Sequence, residues 1–476
     1  MKLCLINTPY LDVYGKIRSG KNSSFPLGLG YIASVVRQRG HEVMLVDPEA
    51  EGLSLYEAIK RIKQFNPDLA GLSSVTANFD NACLWAKEIK RNIGCPVMAG
   101  GVHVTALPEK SLQDCPEIDF LVLGEGEYVT ADICDVIENK SFDPSKIPSV
   151  CFRKNGNIIK NKRSGFIENL DEIPYPARDL VDLKWYRLHP QFERGRLHAT
   201  VMSSRGCPSS CTFCGNITTG RKFRPNGIKY FVDELEFLVK KYGVRHFHIV
   251  DDNFAAEKSR VTGICNEILS RNLEISWFIF GRIDQLHDEE LLRLMKKSGC
   301  VFILFGIESG SQQILDNIKK GINLKQIEET CAMCRKVGIR YLNSFIIGCP
   351  GETEKTLKET INFAISLKAV ISAFGVLIPF PGTPIFIKYY SDKVKGITNW
   401  QNWCSVGDNA PFEYSHTILT SKELMKFVGK AYFQYYLRIP QLIRMMGFAS
   451  NPRVMFSYFK GGTGLLRASL NWIYGK

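Results

Sequence analysis

No apolar run in this 476-residue chain approaches the length of a bilayer-spanning helix, and no low-complexity tract interrupts it. An integral helical membrane protein and a disordered scaffold are therefore excluded. A regular cysteine framework is also missing. Fifteen cysteines, an odd number, lie scattered along the chain, which argues against a secreted disulfide scaffold and for a reducing compartment. Met1–Asn7 carries one lysine and a short apolar run that ends at Asn7-Thr8-Pro9, so it reads as a first β-strand and lacks the pattern of a signal peptide. The expected location is the cytoplasm. No recognised nucleic-acid module is visible, and nucleic acid is not an expected partner. Acidic residues are nearly absent from one end: from Ser421 to Lys476 only Glu423 opposes nine Lys or Arg, among eleven aromatic residues. That composition fits a helical cap with a solvated cationic face. It also fits a surface for an anionic partner such as acidic lipid headgroups or a phosphorylated substrate, with peripheral membrane contact as one expectation.

What is present falls into two α/β halves and a tail. In residues 1–140, strand-length runs at Leu3–Asn7, Val43–Asp47, Leu69–Ser73, Val97–Gly100 and Phe120–Leu123 are mostly separated by helical patterns starting at Leu29, Tyr56, Asp80 and Glu127. This rhythm predicts an open, doubly wound parallel sheet. Ligands bind such sheets beyond the carboxyl ends of the strands. The distinctive residues fall there: Asn7, Thr8 and Pro9 after the first strand, Ser73 and Thr76 after the third, Gly100, Gly101, His103 and Thr105 after the fourth, and Gly124, Glu125 and Glu127 after the fifth. Residues 141–196 break the rhythm with Asp143-Pro144, a polar stretch and Ile173-Pro174-Tyr175-Pro176, and are expected to be an irregular linker.

A second series occupies 197–395, with strands expected at Ala199–Ser203, His246–Asp251, Ser276–Gly281, Val301–Ile307, Tyr341–Ile347 and Phe374–Pro379. Six strands with helices between them predict a barrel or an opened barrel. Each strand delivers an unusual loop to one rim. The first delivers Cys207, Cys211 and Cys214, three thiols on one tight loop. Three thiolates can hold three irons of a cubane cluster and leave the fourth iron open to a substrate; an electron carrier would need a fourth cysteine at short spacing, and none follows. Cys331 and Cys334 form a second pair, but inside a helical pattern, and read as buried apolar positions. Cys349 reads as a small residue in a tight turn. Residues 396–476 are expected to form a C-terminal helical domain, with a capping box of Thr420 and Glu423 opening a Leu424–Leu437 helix that Pro440 ends.

This combination resembles the cobalamin-binding radical S-adenosylmethionine (SAM) enzyme family, of the class B methyltransferase kind. Phe213 matches the aromatic before the third cysteine; Asp251–Phe254, Gly306–Ser309 and Gly348–Thr353 are similar to the later signatures. The Gly100–Glu109 and Gly124–Glu127 stretches are similar to the family's corrinoid domain. The resemblance implies a Rossmann-like cobalamin domain, a partial (β/α)6 radical SAM barrel and a helical tail. The implied cofactors are a [4Fe–4S] cluster on Cys207, Cys211 and Cys214, SAM, and cobalamin. The chain has no Asp-x-His-x-x-Gly motif for a cobalt-ligating histidine, an absence common in this family.

The resemblance implies that reductive cleavage of SAM yields a 5′-deoxyadenosyl radical, with methyl transfer from methylcobalamin to a carbon or phosphorus of a lipid or secondary metabolite. Phe213, Asp251, Asp252, Arg282, Glu308, Ser309, Ile347 and Gly348 are the expected SAM contacts. The rim residues of the first sheet are the expected cobalamin contacts. An external electron donor such as flavodoxin or ferredoxin is implied as a partner. Three alternatives remain: a cyclase related to anaerobic porphyrin ring closure, a methylthiolating enzyme, and a carrier without catalysis.

Overall fold

The computed structural model describes residues 1–10, 24–188, 192, 197–403, 414–448, 469–470 and 472–473. Two sheets organise it. The first takes β1 (Lys2–Asn7), β2 (Glu42–Val46), β3 (Leu69–Ser73), β4 (Val97–Gly100), β5 (Phe120–Val122), β6 (Val150–Lys154) and β7 (Asn157–Lys160) in the order β2-β1-β3-β4-β5-β6-β7. The first five strands are parallel. Alternate residues serve opposite faces: Leu3 and Leu5 pack under the Leu27–Gln38 and Glu127–Glu138 helices, while Cys4 and Ile6 pack under the Phe79–Asn92 helix. Burial on both faces explains why these strands read as continuous apolar runs.

The stretch expected to be irregular adds two strands to this sheet. β6 pairs antiparallel with β5, and β7 with β6. The turn between them is Asn155-Gly156, with φ of 51° and 79°, the two left-handed positions that a tight hairpin requires. The first sheet therefore extends to Lys160, past the boundary expected at 140.

The second sheet contains β8 (His198–Val201), β11 (His246–Ile249), β12 (Ser276–Gly281), β13 (Cys300–Glu308), β14 (Arg340–Ile347) and β15 (Ile371–Val376), adjacent in chain order and all parallel. A separate two-stranded ribbon pairs β9 (Ser204–Arg205) with β10 (Arg224–Pro225). The sixth barrel strand starts three residues before the position expected from sequence, because Leu377 and Ile378 lie beyond it in the loop. One face of the barrel sheet packs Phe247, Trp277, Ile303, Phe305 and Tyr341 against its helices. The other face meets Leu188 and Phe192, which pack on Phe278 and Phe302 and close the amino end of the open barrel. The carboxyl end is left as the mouth.

An open barrel has two edges, and the β15 edge is covered. The capping box forms as expected, with Glu423 N–H donating to Thr420 Oγ1 and Thr420 N–H to Glu423, and starts a helix over Ser421–Tyr436. On that helix Tyr432 hydroxyl meets the backbone N–H and C=O of Phe374, and Tyr436 hydroxyl those of Ser372. These phenols satisfy edge groups that would otherwise recruit another strand. Pro440 lies in the first turn of a further helix, Ile439–Phe448, where its missing N–H is tolerated. Among the described residues no helix is long and apolar enough to cross a membrane.

The chain after β15 also returns to the first sheet. Trp400 and Trp403 are buried in its core, and Trp400 N–H donates to Asp80 at 2.8 Å. Trp400→Ala removes a side chain 1% exposed, and a loss of about 3–5 kcal/mol is expected in denaturant unfolding. A loss under about 1 kcal/mol would place this tryptophan outside the core.

Candidate active site

The cysteine loop leaves β9 at Gly206, whose φ is 81° and whose missing side chain lets the carbonyl of Lys222 approach. The β9–β10 ribbon then closes the loop at its base. Asp252 accepts from Gly206 N–H and from Thr219 hydroxyl, both at 2.8 Å. Asn216 amide donates to the carbonyl of Cys207, and Thr212 N–H to that of Ile318. These contacts tie the loop to the segments around it.

The three thiols converge. Burial, then the neighbouring thiols of Cys211 and Cys207, push the Cys214 thiol up to about 11, against the opposing charge of Lys320. The Asn253 amide lies 3.6 Å from Cys207 Sγ, and Arg282 Nη1 lies 3.7 Å from Cys211 Sγ. Both donors suit thiolate ligands. Among the described residues no three Cys, His, Asp or Glu side chains form a cage for one ion.

Around the thiols, Arg282 Nη2 donates to the carbonyl of Lys320 at 2.8 Å, and Lys320 Nζ pairs with Glu308 at 2.7 Å while lying 5.8 Å from the centre of the Phe213 ring. Glu308 has a φ of 72°, and its carboxylate folds back over Gly306, where any side chain would collide with it. Phe213, Arg282 and Glu308 are thus brought together, and Lys320 joins them. The sequence carried no signal for Lys320 beyond a lysine pair in a loop.

Other expected SAM contacts lie elsewhere. Asp251 is buried, accepting from Ser203 N–H and the hydroxyls of Ser203 and Ser204, so it pins the strand end before the loop. Asp252 holds the loop backbone. Ser309 turns to Thr360 on the Glu354–Ser366 helix. Ile347 points into the helix layer. By strand alternation its neighbour Ile346 packs near Phe213 instead. Gly348, with φ of 93°, donates its N–H to Glu352, as does Cys349 at 3.0 Å. Cys331 and Cys334 are buried in their helix, as expected from sequence.

The first-sheet rim sorts in the same way. Gly101, with φ of 113°, packs its backbone on the carbonyl of Ser74, leaving no room for a side chain. Thr105 hydroxyl donates to Gly101 C=O and accepts from Gly124 N–H. Asn7 donates to Asp47, and the carbonyls of Thr8 and Pro9 accept from Asn78 and Asn81. Gly100 and Ser73 are half-buried at the same rim. The hydroxyls of Thr8 and Ser74 are buried and have no partner in the structure. Two orphaned hydroxyls beside a backbone cradle suit a large polar ligand such as cobalamin.

Three expected contacts are engaged otherwise. His103 is fully buried, stacked on Phe79 at 4.2 Å and edged by Trp400 at 4.7 Å, with Thr76 hydroxyl at 3.3 Å; burial pushes its imidazole down to about 3. It is a core residue, because the chain after β15 covers it. Glu125 and Glu127 are engaged by the barrel: Arg205 reaches Glu125 at 3.0 Å and Glu127 at 2.6 Å, and Arg224 reaches Glu125 at 2.8 Å. They join the two sheets, and of their four oxygens only Glu127 Oε2 is left without a partner. Arg205 and Arg224 escaped the sequence reading because nothing local marks a cationic partner some eighty or a hundred residues away.

Inside the barrel, His248 on β11 stacks on Phe278 at 4.2 Å and lies 5.3 Å from Phe280. Burial, then His198, lower its pKa to about 4, and both its ring nitrogens lack partners. Phe280 is 46% exposed and Gly306, Ser344 and Ile346 are half-buried, so the wall below the mouth is mostly apolar with one neutral imidazole.

Residues 201–364 match the model of the radical SAM superfamily, and residues 17–133 that of the B12 binding domain. An uncharacterized methyltransferase of Pyrococcus horikoshii is 34% identical over 421 residues, 88% of this chain and 89% of that protein. The anaerobic magnesium-protoporphyrin IX monomethyl ester cyclase of Rubrivivax gelatinosus is 28% identical over 378 residues, covering 78% and 67%. The solved structure of the radical SAM methyltransferase TsrM from Kitasatospora setae, with cobalamin and a [4Fe–4S] cluster bound, shares the fold at a TM-score of 0.67 and 18% identity, over 82% of this chain and 74% of that one.

Burial pushes the Glu352 carboxyl up from 4.5 to about 7 against the two N–H groups it accepts. The folded state thus keeps it protonated where the unfolded chain ionises. Its contribution to stability is complete below pH 4.5 and is lost as pH rises to about 7, by up to about 3 kcal/mol. Glu352→Gln is expected to flatten that slope in unfolding measured across this window; an unchanged slope would assign it to another group.

Proposed function

This chain belongs to the cobalamin-binding radical SAM enzyme family, and we propose that it methylates an unactivated carbon, or a phosphorus, of a lipid or secondary-metabolite substrate at the barrel mouth. Its cofactors are a [4Fe–4S] cluster, SAM and cobalamin. When bound, the cluster and SAM supply one-electron chemistry able to activate an inert C–H bond, and cobalamin carries a transferable methyl group. The remaining work belongs to the chain.

Cys207, Cys211 and Cys214 would hold three irons, and their donors Asn253 and Arg282 would stabilise thiolate charge. Arg282, Lys320 and Glu308 would offer charged groups to the amino and carboxylate groups of SAM. Phe213 and Ile346 give that pocket an apolar side. Gly348, held by Glu352, shapes the loop above it. The apolar wall with Phe280 and His248 excludes water, and the neutral imidazole offers one donor and one acceptor to an uncharged polar group.

The observation that carries the reading is the ion-pair group joining Glu125 and Glu127, on the rim where the B12 model matches, to Arg205 at the root of the cysteine loop. It holds the two cofactor rims against each other, as transfer of a group from one to a substrate activated at the other demands. The relative named a methyltransferase supports the same reaction, and the cyclase relative keeps ring closure as the rival. A small-molecule substrate, an external one-electron donor, a cytoplasmic location and peripheral contact through the basic, aromatic tail complete the proposal.

Two measurements test it. Anaerobically purified protein should show corrinoid absorption and, with SAM and reductant, release both S-adenosylhomocysteine and 5′-deoxyadenosine; SAM with a deuterated methyl group should label the product. A product without label, and no S-adenosylhomocysteine, would transfer the reading to cyclisation. Replacing any of Cys207, Cys211 or Cys214 by Ala should lower reconstituted iron from about four per chain to near zero, while Cys331→Ala leaves it unchanged. Iron near eight in the native protein would restore the methylthiolating alternative.

A further inference from the structure

We infer that the Ile439–Phe448 helix is an interfacial anchor for an anionic lipid bilayer. Ile439, Leu442, Ile443 and Met446 are 74%, 45%, 59% and 60% exposed. Their spacing puts them on one face of the helix. The opposite face is fixed to the protein: Gln441 is fully buried and donates its amide to the carbonyl of Val370 at 2.8 Å, just before β15. This bond sets the rotation of the helix, so the apolar stripe is turned outward by the fold. Phe433 and Leu437, 40% and 48% exposed, continue the patch onto the preceding helix.

Charge selects the occupant. From Arg438 to Lys476 the chain has six Lys or Arg and no Asp or Glu. Arg438 and Arg444 flank the stripe, and they donate to the carbonyls of Gln434 and Tyr435 and the amide oxygen of Gln441, none of them a carboxylate. A second copy of the chain would set this cationic face against itself. The chain's own 449–468 segment brings three more cations and no countercharge. An anionic bilayer meets both demands at once, with an acyl boundary for the stripe and phosphates for the arginines. This inference is independent of the reaction at the barrel mouth.

The test uses the full-length protein and sedimented vesicles of phosphatidylcholine, with and without about one third phosphatidylglycerol. Binding to the anionic vesicles is expected to exceed binding to the neutral ones by roughly tenfold or more, and to weaken as salt is raised. Ile443→Glu with Met446→Glu should reduce it at least tenfold while leaving cluster absorbance intact, since both side chains are exposed. Equal binding of the double variant, or no binding by the parent protein, overturns the inference. So does a dimer in sedimentation analysis that the double variant dissolves, which would assign the stripe to a second copy.

Discussion

Two guanidiniums and two carboxylates, all taken out of water, hold the two sheets in register. Arg205, Arg224, Glu125 and Glu127 have side chains 1–5% exposed. Removing such groups from water costs several kcal/mol per ion, so the arrangement is favourable only when it is complete. Arg205 bonds both carboxylates and Glu125 bonds both arginines; deleting Arg205 leaves Glu127, and deleting Glu125 leaves Arg224, buried without its ion-pair partner, at about 3–5 kcal/mol. Burial raises the Glu125 pKa, but Arg224 and Arg205 hold it below the usual range. Because Arg205 precedes Gly206 and Arg224 ends the same loop in the β9–β10 ribbon, the cysteine loop and the rim of the first sheet are placed by one set of bonds.

The rest of the molecule keeps that placement productive. Leu188 and Phe192 close the amino end of the barrel, and the tyrosines of the Ser421–Tyr436 helix close its β15 edge. Trp400 returns to seal the first sheet over His103. What stays open is the mouth, where the three thiols, Arg282, Lys320 and Glu308 meet an apolar wall. Fixed charges beside an apolar lining suit radical chemistry, since they orient a charged cofactor and leave few hydrogen donors or waters to intercept the reaction.

Much of this is legible in the sequence. The five parallel strands of the first sheet and the six of the second were visible as short apolar runs, because buried parallel strands are apolar on both faces. The cysteine loop was readable because metal chemistry imposes its own spacing. The β6–β7 hairpin was missed although Asn155-Gly156 advertises its turn; its strands are short and half polar, which hides them among linker residues. The sequence points to Ile347 where the structure turns Ile346 toward Phe213, because a strand that is wholly apolar does not reveal which alternate residue faces inward.

By itself, the sequence determined the chemistry that lives on contiguous residues: three cysteines on one turn, a capping box, strands of two α/β halves, and a family resemblance that the comparisons bear out. Only the tertiary structure decided which side chains remain free to act. His103, Glu125, Glu127, Asp251 and Ser309 all occupy rim positions along the chain, yet each is consumed by a partner distant in sequence. His248 entered the site for the converse reason, both its ring nitrogens lacking partners, and Lys320 entered through its ion pair with Glu308. A residue's availability depends on what the fold leaves unpaired beside it, and burial and pairing are sums over neighbours that no local pattern records.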